Sequence, residues 1–277
     1  MRDRITITVD QSLTNDIDAF VDGVRIRNRS HAIEFLLRKA LDRKSPKKAL
    51  ILAGGKGTRL RPITYEIPKP MVPVQGRPLI EHTISLLRKH EVRDITLSVG
   101  YLGEKVKDYF GDGSKFGVKL RYIMEDEPLG TAGCLRLAKE WLNEPFIMLN
   151  GDNLVNIDIE SLFDFHRKNG GQATIALTTV DDPSSFGVAL LKGPVITNFI
   201  EKPTEPVSKL INAGVYVLDP SIISMINETG PTSMEYDIFP KIQEKGKLNG
   251  YPFEGQWLPT DNTERYERAI REWGGVQ

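Results

Sequence analysis

Two stretches between residues 49 and 70 carry residue types suited to phosphate chemistry. The apolar run Ala49-Leu50-Ile51-Leu52-Ala53 leads directly into Gly54-Gly55-Lys56-Gly57-Thr58-Arg59. Glycines let backbone amides approach an oligophosphate closely, and an arginine can fork onto phosphate oxygens. The glycine spacing matches neither a dinucleotide-binding turn nor a P-loop, so on its own the stretch is either a phosphate cradle or an unliganded tight turn. Further on, Lys69 stands between Pro68 and Pro70, which fix its backbone. Asp152 follows the apolar run Phe146–Leu149 through Asn150-Gly151. A carboxylate at such a strand end is either a metal ligand or a solvated loop acid. The single cysteine, Cys134, excludes an internal disulfide framework and a cysteine-based zinc site, and reads as a structural core thiol.

These groups need a scaffold, and the apolar periodicity supplies one. Ile80, Ile84 and Leu87 recur at helical spacing after Pro78, Ile95, Leu97 and Val99 alternate as a strand, and Phe146–Leu149 reads as a buried strand. Tyr266, Ala269 and Ile270 mark a last helix. Strands alternating with helices predict an α/β fold, a Rossmann-like doubly wound sheet whose ligands sit at the carboxyl ends of its strands. The glycine loop and Asp152 both fall at such ends.

The first fifty residues follow a different pattern. Ile5, Ile7 and Val9 alternate with Arg4, Thr6 and Thr8, which predicts a strand over 4–9. Two helical patterns follow, one through Leu13, Ile17, Phe20 and Val21 and one through Ile33, Leu36, Leu37, Ala40 and Leu41, with Ser12 and Ser30 as expected N-caps. One strand and two helices form too small a core to stand alone, and a lone strand has unpaired edges, so dimerisation through the strand is expected. Arg43-Lys44-Ser45-Pro46-Lys47-Lys48 has linker composition, dividing the chain into modules 1–45 and 46–277. Residues 1–48 hold 11 Lys and Arg against 7 Asp and Glu, a net +4 within a chain of 37 basic and 37 acidic residues. The two modules therefore differ in charge as well as pattern.

With 277 residues, 40% hydrophobic and 27% charged, the composition is that of a globular protein rather than a disordered or collagenous one. No run approaches the roughly 18 apolar residues of a membrane span, and the N-terminus lacks a secretory apolar core, so the expected compartment is cytoplasmic with no membrane partner.

The continuation Arg59-Leu60-Arg61-Pro62-Ile63-Thr64 and Pro68-Lys69-Pro70-Met71-Val72-Pro73-Val74 resembles the signature of sugar-phosphate nucleotidyltransferases, also called sugar-nucleotide pyrophosphorylases. The likeness continues through Glu127–Gly133, Asn150-Gly151-Asp152, Phe186-Gly187-Val188, Glu201-Lys202-Pro203 and Asn212–Tyr216. It implies a nucleotide-diphospho-sugar transferase fold with a mixed sheet. It also implies Mg²⁺-dependent transfer of a nucleotidyl group from a nucleoside triphosphate to a sugar 1-phosphate, releasing pyrophosphate. By this resemblance Gly54, Gly55, Gly57 and Thr58 cradle the triphosphate, Arg59 balances the departing pyrophosphate, and Lys69 bridges phosphates at the reacting centre. Lys202 holds the sugar phosphate, while Gly187, Glu201 and Asn212 meet sugar hydroxyls. Tyr101, Glu125, Gly130 and Thr131 line the nucleotide base.

Many members place a second metal-binding aspartate two residues after a tryptophan. Here Trp257 is followed by Leu258-Pro259-Thr260-Asp261, and proline offers no ligand. The offset of Asp261 resembles the glucose-1-phosphate cytidylyltransferase branch, so Asp152 and Asp261 are the expected Mg²⁺ pair. Glu125–Gly133 and Pro231–Glu235 instead resemble mannose-1-phosphate guanylyltransferases. GTP with mannose 1-phosphate is therefore favoured, with CTP, UTP or dTTP and glucose 1-phosphate as alternatives.

Residues 2–42 resemble ribbon-helix-helix DNA-binding proteins. The resemblance implies Arg4, Thr6 and Thr8 facing bases and Ser30 near a phosphate of double-stranded DNA, with a homodimer or higher homo-oligomer. The alternatives are a dimerisation clasp without DNA, or a regulator whose transferase-like module senses a nucleotide sugar.

Overall fold

The computed structural model describes residues 6–40 and 45–276, the side chains of 38–40 excepted. The chain divides into two compact units, Met1–Lys44 and Ser45–Gln277.

In the small unit, α1 (Gln11–Ala19) and α2 (Arg29–Ala40) form as the periodicity predicts. Their caps are different residues from those expected. Asp10 accepts from Leu13 N at 2.9 Å, with Ser12 donating its hydroxyl to the same carboxylate, and Asn28 accepts from His31 N at 3.0 Å. Ser12 and Ser30 lie inside the first turns. The strand expected over 4–9 is not formed among its described residues: Thr6, Ile7, Thr8 and Val9 are irregular and exposed. A ribbon needs a second edge, and a single chain offers none. Arg4 lies outside the described residues. Arg29 forks onto Asp18 at 2.7 and 2.5 Å, and Asp22 gathers three backbone amides of the connecting loop.

The large unit is built on β1 (Lys48–Ala53), which continues into the glycine loop. A hairpin of β2 (Pro73–Val74) and β3 (Arg77–Pro78) leads into α3 (Leu79–Lys89). Then come β4 (Asp94–Val99), α4 (Gly103–Phe110), β5 (Lys119–Met124) and the short α5 (Gly130–Gly133). Next are β6 (Phe146–Asn150), β7 (Asn153–Val155), α6 (Ile159–Asn169) and β8 (Ala173–Thr179). The chain continues through β9 (Gly187–Lys192), β10 (Val195–Glu201), β11 (Leu210–Leu218), α7 (Phe239–Glu244) and β12 (Leu248–Pro252). It closes with β13 (Trp257–Pro259) and α8 (Thr263–Glu272).

Nine strands form one mixed sheet in the order β5-β4-β1-β6-β11-β8-β12-β10-β9. The first four are parallel, and β11 runs antiparallel to β6 and β8. Strand alternation explains the two cores. On β1, Ala49, Ile51 and Ala53 join a core with α3, α4 and α6, whereas Leu50 enters a second core with Cys134, Tyr216 and Phe239. A sheet covered on both faces requires strands that are apolar on both sides, as β1 is. Helix α3 shows the same logic at its ends. Glu81 lies in its first turn and Arg88 and Lys89 in its last, each opposing the helix dipole.

Candidate active site

The carboxyl ends of β1, β4 and β6 deliver Gly54–Thr58, Gly100-Tyr101 and Asn150-Gly151-Asp152 to one edge of the sheet. Close packing there demands glycine. A Cβ on Gly151 would meet Leu52 O at 2.5 Å. Gly57 has φ +61°, and a Cβ there would come within 2.9 Å of both Lys69 Cβ and Thr64 Cγ2. The Thr64 hydroxyl donates to Gly57 O at 2.7 Å, fixing the loop against the Lys69 turn.

Two cation–carboxylate pairs occupy this edge. Lys69 is buried, and its Nζ donates to Asp152 Oδ2 at 2.8 Å. Arg59 Nη1 donates to Asp261 Oδ2 at 2.6 Å, and Arg265 Nη1 to Asp261 Oδ1 at 2.9 Å. The pairs are tied through the backbone. The antiparallel β7–β13 pairing brings Pro259 opposite Asn153, and Thr260 donates both N and Oγ1 to Asp152 O at 3.1 and 2.8 Å. Burial alone would raise the Asp261 carboxyl, but the hydrogen bond and charge of Arg265, with Arg59 and Lys69, hold it below its ordinary value. The sequence singled out every one of these groups except Arg265 and Thr260. The signal for Arg265 was its i+4 spacing from Asp261.

A second group lies on β9, β10 and β11. Glu201 pairs in register with Gly187, and a Cβ on Gly187 would meet Glu201 Oε2 at 2.6 Å. Lys202 adopts φ +48°, a costly conformation for a non-glycine residue, with its N donating to Phe186 O at 3.0 Å and its Nζ 3.8 Å from Glu201 Oε1. The irregularity of β11 between Asn212 and Tyr216 turns the Asn212 amide onto the Tyr216 hydroxyl at 2.9 Å. In the same bulge, Gly214 packs so closely on Asn150 and Asn153 that a Cβ would lie 2.7 Å from each side-chain nitrogen. This contact joins the β11 group to the Asp152 segment. Phe186 meets Trp257 edge to face at 5.3 Å, and the Arg265 guanidinium lies 4.6 Å over the Phe186 ring. A cavity of about 490 Å³ opens along this aromatic pair, with Asp182, Lys209 and Arg265 on its walls.

A third group holds the segment after β5. Glu125 accepts from Ser98 Oγ at 2.6 Å and Leu129 N at 3.0 Å, and sits against Gly54. Gly130 has φ +76° and packs on the Thr232 backbone. The Thr131 hydroxyl donates to Glu235 at 2.6 Å, so in this structure it serves the protein itself. Tyr101 donates its hydroxyl to Tyr65 O at 3.1 Å. Cys134 is buried nearby, and burial pushes its thiol up to about 12, which makes it inert.

Among the described residues no group of three or more His, Cys, Asp or Glu is suited to hold a metal. Asp152 and Asp261, the expected metal pair, each present a carboxylate at this edge, the first paired with Lys69 and the second with Arg59 and Arg265. No described helix is long and apolar enough to cross a membrane. Of the residues expected at DNA, Thr6, Thr8 and Ser30 are exposed, and nothing in the structure shows them at a nucleic acid.

The nucleotidyl transferase family model matches residues 48–273, and the chain belongs to that family. It is 44% identical over 218 residues to a mannose-1-phosphate guanyltransferase of Saccharomyces cerevisiae, covering 76% of this chain and 60% of the relative. A probable mannose-1-phosphate guanylyltransferase 1 of Oryza sativa subsp. japonica is 39% identical over 231 residues, covering 81% of this chain and 64% of that one. The chain thus spans about 60% of the length of the curated relatives it matches. Among solved structures, a putative glucose-1-phosphate thymidylyltransferase from Bacillus anthracis superposes with a TM-score of 0.75 at 31% identity, over 83% of this chain and 97% of that one. A UDP-glucose pyrophosphorylase, at 22% identity and a TM-score of 0.71, shares the fold. The nucleotide-diphospho-sugar transferase fold expected from the sequence is thereby established for the large unit.

Proposed function

We propose that the protein is a sugar-1-phosphate nucleotidyltransferase, with GTP and mannose 1-phosphate the favoured substrates. The observation that carries this reading is the pair of linked cation–carboxylate contacts, Lys69–Asp152 and Arg59–Asp261, beside a glycine loop at the carboxyl ends of parallel strands. The reaction brings two anions together. A sugar phosphate oxygen attacks the α-phosphorus, the bond to the β-phosphate breaks, and pyrophosphate leaves. Catalysis therefore rests on positioning and charge neutralisation rather than on a protein nucleophile.

The amides of Gly54, Gly55, Gly57 and Thr58 cradle the triphosphate. Lys69, aimed by its pair with Asp152, neutralises charge between the reacting phosphates, and Arg59 balances the departing pyrophosphate. Lys202 receives the sugar phosphate. Gly187, Glu201 and Asn212 face the sugar, while Tyr101, Glu125, Gly130 and Thr131 surround the base. Asp152 and Asp261 would hold Mg²⁺, which when bound supplies further neutralisation of phosphate charge. Preference for GTP is supported by the names of the guanyltransferase relatives.

The test is pyrophosphate release with Mg²⁺, crossing GTP, CTP, UTP, dTTP and ATP against mannose 1-phosphate and glucose 1-phosphate. Release dependent on one pair supports the reading and identifies both substrates. No release from any pair by folded protein would overturn it.

The small unit is a self-association element. Its described residues bury Ile17 and Ala32 but leave Leu13, Phe20, Val24, Phe35 and Leu37 exposed, an apolar surface that a second copy would cover. DNA binding through Arg4, Thr6, Thr8 and Ser30 would make affinity for duplex DNA fall steeply with salt, measurable by fluorescence anisotropy.

A further inference from the structure

Glu235, met so far only as the acceptor of the Thr131 hydroxyl, lies on a π-turn spanning Met234–Ile238. Such turns aim side chains off the usual helical rows and are frequent at functional sites. Two hydroxyls converge on one of its oxygens. Thr131 Oγ1 accepts from Met234 N at 2.8 Å and donates to Glu235 Oε2 at 2.6 Å. Ser233 Oγ accepts from the Glu235 and Tyr236 amides at 3.2 Å and donates to the same Oε2 at 2.8 Å. A hydroxyl has one proton, so both point theirs at Glu235 Oε2 and fix that oxygen. Oε1 takes part in none of the hydrogen bonds among the described residues.

The Met234–Ile238 turn packs against β10, which brings the charge of Glu235 to the β10–β11 side of the site. It acts on Glu201 and on Tyr216, whose hydroxyl accepts from Asn212. Its tether, Thr131, belongs to the segment proposed for the base. Glu235 is therefore a carboxylate anchored on the base side whose charge is felt on the sugar side.

We propose that Glu235 is a second sugar-reading carboxylate, its Oε2 fixed by Thr131 and Ser233 and its Oε1 accepting a ring hydroxyl of the sugar 1-phosphate. An ionised carboxylate only accepts hydrogen bonds, and a sugar hydroxyl is the donor that the proposed substrate brings. Glu201 complements it. Burial and the charge of Glu235, opposed by Lys202, push Glu201 up to about 7, so the two carboxyls influence one another across the proposed sugar side.

This inference rests on the sugar subsite proposed at Glu201 and Asn212, and the experiment separates the two. Steady-state kinetics would use mannose 1-phosphate or glucose 1-phosphate, whichever is turned over, with its 2-, 3-, 4- and 6-deoxy analogues. On the parent sugar, Glu235→Ala is expected to lose about tenfold or more in kcat/KM, with the KM for the triphosphate within about twofold. On the one analogue whose hydroxyl Glu235 reads, wild type and variant should converge. A merely structural role predicts equal losses on the parent and on every analogue, and that result overturns the proposal. Glu235→Gln, nearly isosteric, provides the same comparison if the alanine variant does not fold. Glu201→Gln run in parallel tests the subsite itself: an unchanged sugar KM there would remove the subsite reading, whereas a raised one with Glu235→Ala lacking convergence would remove Glu235 alone.

Discussion

Lys69 is the cation most completely enclosed by the site, and its single ion-pair partner is a carboxylate that is itself more than a third exposed. Its ammonium is thus set by the burial of its stem together with the Asp152 bond, which suits a group that must be in place before phosphates arrive. Lys69→Met keeps the apolar stem and removes the charge. We expect kcat to fall about 10²-fold or more, with the KM for the triphosphate changed less than about fivefold, measured by pyrophosphate release. Equal kcat would show that charge at this position does not act on the reacting phosphates. Glu201 allows a test of pH dependence. Its carboxyl is raised in the fold from an ordinary 4.5 to about 7, chiefly by burial. A raised carboxyl is most stabilising when protonated in both states, below about 4.5, and that contribution is lost as pH rises towards 7. Thermal melts of wild type and Glu201→Gln should therefore diverge between these pH values, the variant becoming relatively more stable as pH rises. Parallel curves would mean that Glu201 titrates normally.

At the scale of elements, the glycine loop tests whether geometry or sequence alone makes a phosphate cradle. Gly57→Ala would combine a left-handed φ with a Cβ 2.9 Å from Lys69 Cβ and from Thr64 Cγ2. The expected cost is about 1–3 kcal/mol in stability, read from denaturant midpoints, together with a weakened triphosphate KM as the Lys69 turn is displaced. Gly55→Ala, where no atom lies within 4 Å, should leave stability nearly unchanged. The strands and helices of the large unit were legible because their apolar residues follow one period over a full element: Ile95, Leu97 and Val99 in β4, and Ile80, Ile84 and Leu87 in α3. Helix caps were less so. Asp10 and Asn28 each stand two residues before a serine that could also cap, and only the observed helix start selects between them. The bulge in β11 and the positive φ of Lys202 have no periodic signal, since both arise from contacts with strands distant in sequence. Arg265 could be found by its i+4 spacing from Asp261. Glu235 could not, because its partner Thr131 lies 104 residues away.

The whole molecule joins two units of unequal self-sufficiency. All three hydrophobic clusters of the described residues draw exclusively on Ala49 and beyond, so the large unit closes its own core. The small unit does not: Ile17 and Ala32 are its buried apolar residues among those described, while Val24 is 82% exposed and Leu37 55%. So few buried side chains cannot offset the entropy of ordering two helices, and under the proposed self-association a second copy would supply the missing contact. Removing residues 1–45 should consequently leave an enzyme with turnover within about twofold of the full chain and a smaller mass by light scattering. The two readouts test different links. Lost turnover with an intact fold would mean that association through the small unit supports the active site, whereas an unchanged mass would mean that assembly uses surfaces of the large unit and that the exposed apolar side chains of α1 and α2 meet some other partner. Charge substitution separates these further: Leu13→Glu with Leu37→Glu in the full chain removes the apolar face while keeping every residue of the large unit, and should reproduce the mass of the truncated protein if that face is the one that pairs.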